Sequence, residues 1–337
     1  MQYRKIVRLC AAVLAVGATT LAPLTQARAE GGRPVFTSLF VFGDSLSDTG
    51  NSLLLSQRVG QVPALPPSVS PHATYWQGRF SNGPVAVEHL WRAVGPPKAA
   101  DLQPFLAQPV LPAVGAVNFA FGGAISGGPL LPGNPSKVPT MLEQVGLFQQ
   151  ALGPRRARAD GLYVVWGGGN DYAFNGATSP EPVVRNVVLA IQALHAKGAR
   201  RFLVPNLPDM GLTPLARSQG QAEASTLITK AHNALLAQQL ATLSATLPGV
   251  KIVSLDVFKL GEALLAAGLL SASPPALAVV SPNSPAVGCL FLNPMDCVDV
   301  PLDAPVPPVL FWDMAHPTTQ VHGLIAMGMV QRLLAAR

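Results

Sequence analysis

The amino-acid sequence predicts one α/β domain, a three-layer α/β/α sandwich in which a mainly parallel sheet is covered by helices on both faces. Three observations lead there. Five short runs are apolar along nearly their whole length, so neither face of the sheet they form can look into water. Amphipathic helical patterns alternate with these runs and follow them. Three of the runs end in glycine, where a strand has to turn tightly into the next segment. The chain has 337 residues, 49% of them apolar, which suits one large core.

The elements follow in order. The first run is Thr37–Phe42, closed by Gly43, and the second is Val117–Phe121, closed by Gly122-Gly123. The third is Gly161–Trp166, ending in three glycines, and Arg201–Pro205 and Val250–Leu255 complete the set of five. Helical periodicity is expected over about 139–152, 180–197, 214–246, 256–270 and 319–335. Two segments break the alternation. Residues 56–116 are rich in proline and carry Tyr75, Trp76, Phe80 and Trp91, while residues 271–310 hold nine prolines and two cysteines. Loops of that length are usually functional or stapled. Beyond the carboxyl ends of the strands they would shape a substrate cleft, with the four aromatics as candidate lining or as core.

The first 29 residues read as an export leader. Arg4, Lys5 and Arg8 precede an apolar stretch from Leu9 to about Leu21, and Ala27-Arg28-Ala29 offers a small-x-small cleavage pattern. The stretch is too short and too rich in small residues for a comfortable membrane anchor. Cys10 lacks the small residue before it that a lipoprotein signal needs. Residues 30–337 are then a single domain, and the expected destination is the periplasm or the outside of the cell. No later stretch looks transmembrane. The formal charge of +6 falls to +2 without the leader's four cations, and no basic stripe or nucleic-acid motif appears, so nucleic acid is excluded as a partner. Cys289 and Cys297, eight positions apart in an exported chain, suggest one disulfide. A monomer is the expected state.

Four clusters carry chemistry. In FVFGDSLSDTGN (40–51) a strand delivers Ser45 to the sheet edge, a rigid mounting for a nucleophile. Its backbone N–H starts a turn where unpaired donors face an anion. An isolated Gly-Asp-Ser would more simply be a helix cap. In NFAFGGA (118–124) Gly122 or Gly123 can present an N–H at the same edge. In WGGGNDY (166–172) the Asn170 amide can donate to a developing oxyanion, although Gly-Asn-Asp is also good turn chemistry. In FWDMAHPTTQVHG (311–323) Asp313 and His316, three apart, share one side of a turn. The carboxylate takes one imidazole nitrogen and leaves the other as a base for a hydroxyl. His322 lies in the last helix, out of easy reach of Asp313. His72, His89, His195 and His232 have no acid near them in a motif and read as structural or exposed. Asp313, His316 and His322 match no common zinc spacing.

Taken together and in this order, the four clusters resemble the blocks of the GDSL (SGNH) hydrolases. GRFSNG (78–83) is similar to a stretch of the lipase-like branch of that family. The resemblance runs from about residue 38 to 335. It implies a flavodoxin-like sheet of five parallel strands, in agreement with the five apolar runs. It implies Ser45 as nucleophile, Asp313 and His316 as the rest of a triad, and the Ser45 and Gly123 N–H groups and the Asn170 amide as oxyanion donors. Gly122 competes with Gly123 for that place. The activity implied is an exported serine esterase or lipase acting on carboxylic esters, fatty-acyl or phospholipid, with no metal and no organic cofactor. A carbohydrate O-deacetylase and a non-catalytic surface binding module are the alternatives on the same fold.

Overall fold

The computed structural model describes residues 35–130, 137–282 and 285–336; the leader read over residues 1–29, with Cys10, lies outside them. From the amino end come strand β1 (Ser38–Gly43), helices α1 (Asn51–Arg58) and α2 (Ala86–Val94), and strands β2 (Gln103–Pro104) and β3 (Gly115–Asn118). Then follow α3 (Met141–Leu152), β4 (Leu162–Trp166), α4 (Gly169–Ala173), α5 (Pro180–Lys197) and β5 (Arg201–Pro205). The chain continues through α6 (Pro214–Ser218), α7 (Ala222–Thr246), β6 (Lys251–Leu255), α8 (Val257–Ala266), α9 (Ala276–Val280), α10 (Cys289–Leu292) and α11 (Thr319–Ala335).

The sheet has the order β2-β3-β1-β4-β5-β6, and every pair is parallel. Without β2 this is the flavodoxin-like order, with the direction of winding reversing at β1. Alternation along β1 shows why both faces are apolar. Leu39 and Val41 join Val164, Leu203 and Val253 in a core beneath α2, α8 and α11. Phe40 and Phe42 join Tyr163, Val165, Phe202 and Val204 in a core beneath α3, α5 and α7. Helices on both faces leave the strand ends as the place where polar groups collect.

The structure departs from the sequence-based expectation in both its strands and its helices. The sheet has six strands, not five: β2 is a two-residue edge strand paired with β3, too short for periodicity to show, and its Pro104 is tolerated because an edge strand leaves one N–H side unpaired. The second apolar run enters the sheet earlier, at Gly115, and leaves at Asn118. Phe119 still donates its N–H to Val41 O at 2.8 Å. The long helix expected over 214–246 is two helices, divided where Gly220 takes a φ of 68°.

The two proline-rich segments are not free loops. Residues 86–94 form α2, whose buried Ala86, Val87, Leu90, Trp91 and Val94 make an apolar stripe. The 271–310 segment packs onto the 56–116 segment through Tyr75, Ala276, Leu277, Val309 and Trp312, together with Cys289 and Cys297. Those two cysteines form a disulfide. Among the described residues no helix is long and apolar enough to cross a membrane.

Candidate active site

Ser45 sits two residues beyond β1, and the end of that strand is clamped. Gly43 is required there, because a Cβ on it would lie 2.0 Å from the Trp166 carbonyl oxygen. The Gln144 side chain on α3 accepts from Gly43 N–H at 2.9 Å and donates to Gly43 O at 2.8 Å. Both backbone groups are thereby satisfied just before the chain turns. The turn itself is held by buried Asp48, which accepts from the N–H groups of Gly50, Asn51 and Ser52. Asn51 ties it sideways, donating to the carbonyls of Asn118 and Ala120.

The Ser45 hydroxyl lies 2.9 Å from His316 Nε2, although the two residues are 271 positions apart. His316 Nδ1 lies 2.8 Å from Asp313 Oδ2. The turn that carries the pair is folded around the same carboxylate: Asp313 Oδ1 accepts the N–H groups of Ala315 (2.8 Å) and His316 (2.7 Å). Tyr75 Oη donates to Asp313 Oδ2 at 2.6 Å. With Nδ1 protonated toward the carboxylate, Nε2 is the nitrogen with a free lone pair, and it faces the hydroxyl. Burial works against the charge of Asp313, but the His316 charge and the hydrogen bonds from His316 and Tyr75 outweigh it. They hold the carboxyl below its usual range. The imidazole lies between two rings, Phe80 at 5.2 Å and Phe291 at 5.8 Å between centroids.

The two glycine-bearing loops meet beside Ser45. Gly122 N–H is already taken by Asp48 Oδ2 (2.9 Å) and Ser52 Oγ (2.8 Å), and a Cβ on Gly122 would strike the Phe80 ring at 2.1 Å. The Ser45 and Gly123 N–H groups have no acceptor among the described residues. Asn170, on α4, spends one amide hydrogen on Ala124 O at 2.9 Å and keeps the other. Its neighbour Asp171 accepts from Ser126 N–H and Oγ, so α4 and the 122–126 loop are tied together at three points.

A chamber of about 480 Å³ opens from this point, with Ser45, Asn170 and His316 among its walls. Its other walls are mostly apolar, with Leu207, Met210, Leu212 and Leu215 after β5, faces of α7 and α8, and Val321 and Ile325 on α11, beside polar groups such as Asp209, Thr213 and Ser225. Tyr75, Trp76, Phe80 and Trp91 are not among them. Tyr75, Phe80 and Trp91 are buried structural groups, and Trp76 carries the Arg79 guanidinium 5.0 Å from its ring centroid.

A family model described as GDSL-like Lipase/Acylhydrolase matches residues 39–329. The chain belongs to this family. Its similarity to a phosphatidylcholine-sterol acyltransferase of Aeromonas hydrophila is 33% identity over 222 residues, 64% of this chain and 58% of that one. An inactive GDSL esterase/lipase-like protein 25 of Arabidopsis thaliana is 28% identical over 239 residues, 66% of this chain and 55% of that one. The chain thus spans a little over half the length of these two. A GDSL esterase/lipase of the same plant is 28% identical over 355 residues, 96% of each chain.

Much of what shapes the GDSL-like site was not singled out from sequence. Tyr75 reaches Asp313 across 238 positions, and nothing local to it signals this. Asp48, Asn51 and Asn118 stand inside the motifs, yet they hold backbone. The GRFSNG stretch proves to be a clamp on the His316 segment. Ser81 Oγ donates to Pro317 O at 2.8 Å and Asn82 Oδ1 accepts from Thr319 N–H at 2.9 Å. Arg79 pairs with buried Glu88 at 2.7 Å. His322 is fully buried, and its ring nitrogens have no hydrogen-bond partner among the described residues. Burial takes it down to about 3, so it stays neutral.

Asp44, beside Ser45, gives a stability prediction. Burial pushes its carboxyl from 3.8 up to about 6 despite the hydrogen bond from Leu46 N–H. A raised value means that the folded state resists ionisation, so stability is lost as pH rises from about 4 to about 6. Asp44→Asn keeps the acceptor and removes the charge. At pH 7.5 it is expected to be more stable by on the order of 2–3 kcal/mol, and below pH 3.8, where Asp44 is neutral in both states, the gain vanishes. Urea unfolding at the two pH values checks this; an equal gain at both would overturn it.

Proposed function

We propose that the protein is an exported serine esterase or lipase that hydrolyses carboxylic esters of fatty acids, phospholipids included, through an acyl-enzyme on Ser45. The observation that carries the reading is the line Ser45 Oγ to His316 Nε2 to Asp313, with separations of 2.9 and 2.8 Å. A serine hydroxyl is unreactive at neutral pH without such a base. His316 takes the Ser45 proton as the oxygen attacks the ester carbonyl, and the resulting oxyanion accepts from the Ser45 and Gly123 N–H groups and the Asn170 amide. The C–O bond to the alcohol breaks, and the alcohol leaves with the proton from His316. Water then attacks the acyl-enzyme by the same route and releases the acid. Asp313 keeps the imidazole in the productive tautomer and stabilises its protonated form. The choice of Gly123 over Gly122 rests on Gly122 N–H being already engaged.

The leader pattern and the Cys289–Cys297 disulfide support export, since disulfides persist in oxidising compartments. The apolar chamber favours fatty-acyl esters over a carbohydrate O-acetyl group, which would leave most of the 480 Å³ unfilled. The relation to an acyltransferase of Aeromonas hydrophila accords with the same acyl-enzyme being open to an acceptor alcohol in place of water.

The test does not require turnover. A long-chain alkyl phosphonofluoridate should add one phosphonyl mass to the protein, located on the Ser45 peptide and absent in Ser45→Ala. No adduct, or an adduct elsewhere, would overturn the reading. Asn170→Ala should lower kcat by roughly 10²–10³-fold with KM little changed, because its donor acts where charge develops. An effect confined to KM would make Asn170 a ground-state binding group instead.

A further inference from the structure

The chamber beside Ser45 is unusual as a piece of core. Protein interiors pack to the density of organic crystals, with few voids larger than a water molecule. Here helices from both faces of the sheet, α7 from one and α8 and α11 from the other, border about 480 Å³ of mainly apolar space. Each turns a helical stripe into it. Ala224 and Ile228 face it from α7, and Val257, Leu260, Gly261 and Leu264 from α8, the spacing that makes one face of a helix. Such a stripe normally buries itself against another element. A site built this way takes an uncharged apolar ligand. Asp209, the one carboxylate in this part of the wall, is already bonded to Gly211 N–H and Thr226 Oγ1.

The centre of the α8 stripe is a glycine. A Cβ built on Gly261 would meet nothing within 4 Å, so the space is open there and no steric need explains the missing side chain. Glycine is a poor residue for a helix interior, and α8 carries it between two leucines of the same face. Ser45 follows β1, whereas Gly261 lies on the helix that follows β6, three strands away in the sheet. At strand spacing that is a lateral reach on the order of 14 Å, beyond an acetyl group but within an extended fatty-acyl chain. A cavity of about 150 Å³ suffices for a benzene ring, so the chamber has room for a chain of on the order of ten carbons or more.

We propose that this chamber is the acyl-chain site, that it runs from Ser45 toward α8, and that the absent side chain at Gly261 sets the chain length admitted. The proposal rests on the esterase reading above for the chemistry, but not for the binding. Each methylene that a filled pocket excludes is worth roughly tenfold or more in specificity. Gly261→Leu and Gly261→Phe should therefore lower the ratio of kcat/KM for p-nitrophenyl palmitate to that for p-nitrophenyl acetate, by at least tenfold for Phe and by less for Leu. Ile228→Phe, which fills the same chamber from α7, should shift the ratio in the same direction and serves if a Gly261 variant does not fold. In parallel, dodecanoate binding is measured calorimetrically in the Ser45→Ala background. Its Kd should rise at least tenfold on adding Gly261→Phe. An unchanged ratio and an unchanged Kd in folded variants would overturn the chain-length assignment. Dodecanoate binding that depends on Gly261, in a protein whose wild type turns over no ester, would sink the hydrolase reading and leave the chamber assignment standing.

Discussion

Ser45→Ala is expected to reduce hydrolysis of p-nitrophenyl octanoate by on the order of 10⁵–10⁶-fold, leaving only what the oxyanion donors and binding supply. The size of the effect follows from the division of labour in the site. His316 has one hydroxyl within reach, and its Nε2 lone pair has no other use there. The imidazole is flanked by Phe80 and Phe291 and is nearly buried, so little water stands ready to act as nucleophile in place of the serine. The fold should tolerate the change. The Ser45 hydroxyl makes one protein hydrogen bond, while the turn around it is held by Asp48, Asn51 and Gln144. Thermal unfolding should thus stay near the wild-type midpoint. A folded variant keeping more than about 1% of the rate would overturn the nucleophile assignment.

The layers of the fold were legible because they rest on local regularity. Helix α5, over 180–197, starts on Pro180 and ends at Gly198, and α11, over 319–335, follows the Thr318 cap; both match their expected spans. Helix α2 was hidden by its surroundings: prolines on either side of residues 86–94 outweighed its apolar stripe. The two residues of β2 give no period at all. Ser45, Gly123, Asn170, Asp313 and His316 were singled out by motif order, which marks residues but not distances; the structure brings Ser45, Asn170 and His316 to one chamber and Asp313 to His316. The partners outside the motifs, Tyr75 and Gln144, could not be reached that way, since each meets its neighbour across 100 or more positions.

Whether the loop aromatics line a cleft or belong to the core was open in the sequence for a different reason. Aromatics in a long loop suit a lining and a core equally, and Tyr75, Phe80 and Trp91 are buried in the core. The chamber is walled instead by helix faces such as Val257, Leu260 and Leu264. In sequence these look like any core stripe, because a pocket for an acyl chain and a core against a neighbouring helix make the same demand for apolar surface. What separates them is the gap between the elements, and that is a tertiary quantity.

Asp313→Asn is the second change expected to be severe, at about 10⁴-fold in kcat, and the reason lies in counting donors. Four hydrogen bonds converge on this carboxylate: Ala315 and His316 N–H on Oδ1, and His316 Nδ1 and Tyr75 Oη on Oδ2. An asparagine offers one acceptor oxygen. If its oxygen stays with the backbone, the amide hydrogens face Nδ1, and the imidazole must move its proton to Nε2, where it confronts the Ser45 hydroxyl as a donor and not as a base. If the amide flips, two buried N–H groups lose their acceptor and the turn that presents His316 loosens. The first arrangement takes the Nε2 lone pair away from the Ser45 hydroxyl, and the second leaves it in place but loosens the turn that aims it. Tyr75→Phe separates this from general damage, because it deletes one donor from the same oxygen without dictating the His316 tautomer. It should cost less than about tenfold. Comparing kcat for the two variants, with unfolding midpoints to show that both are folded, decides the matter. A loss below about tenfold in Asp313→Asn would mean that His316 does not depend on this carboxylate for its tautomer.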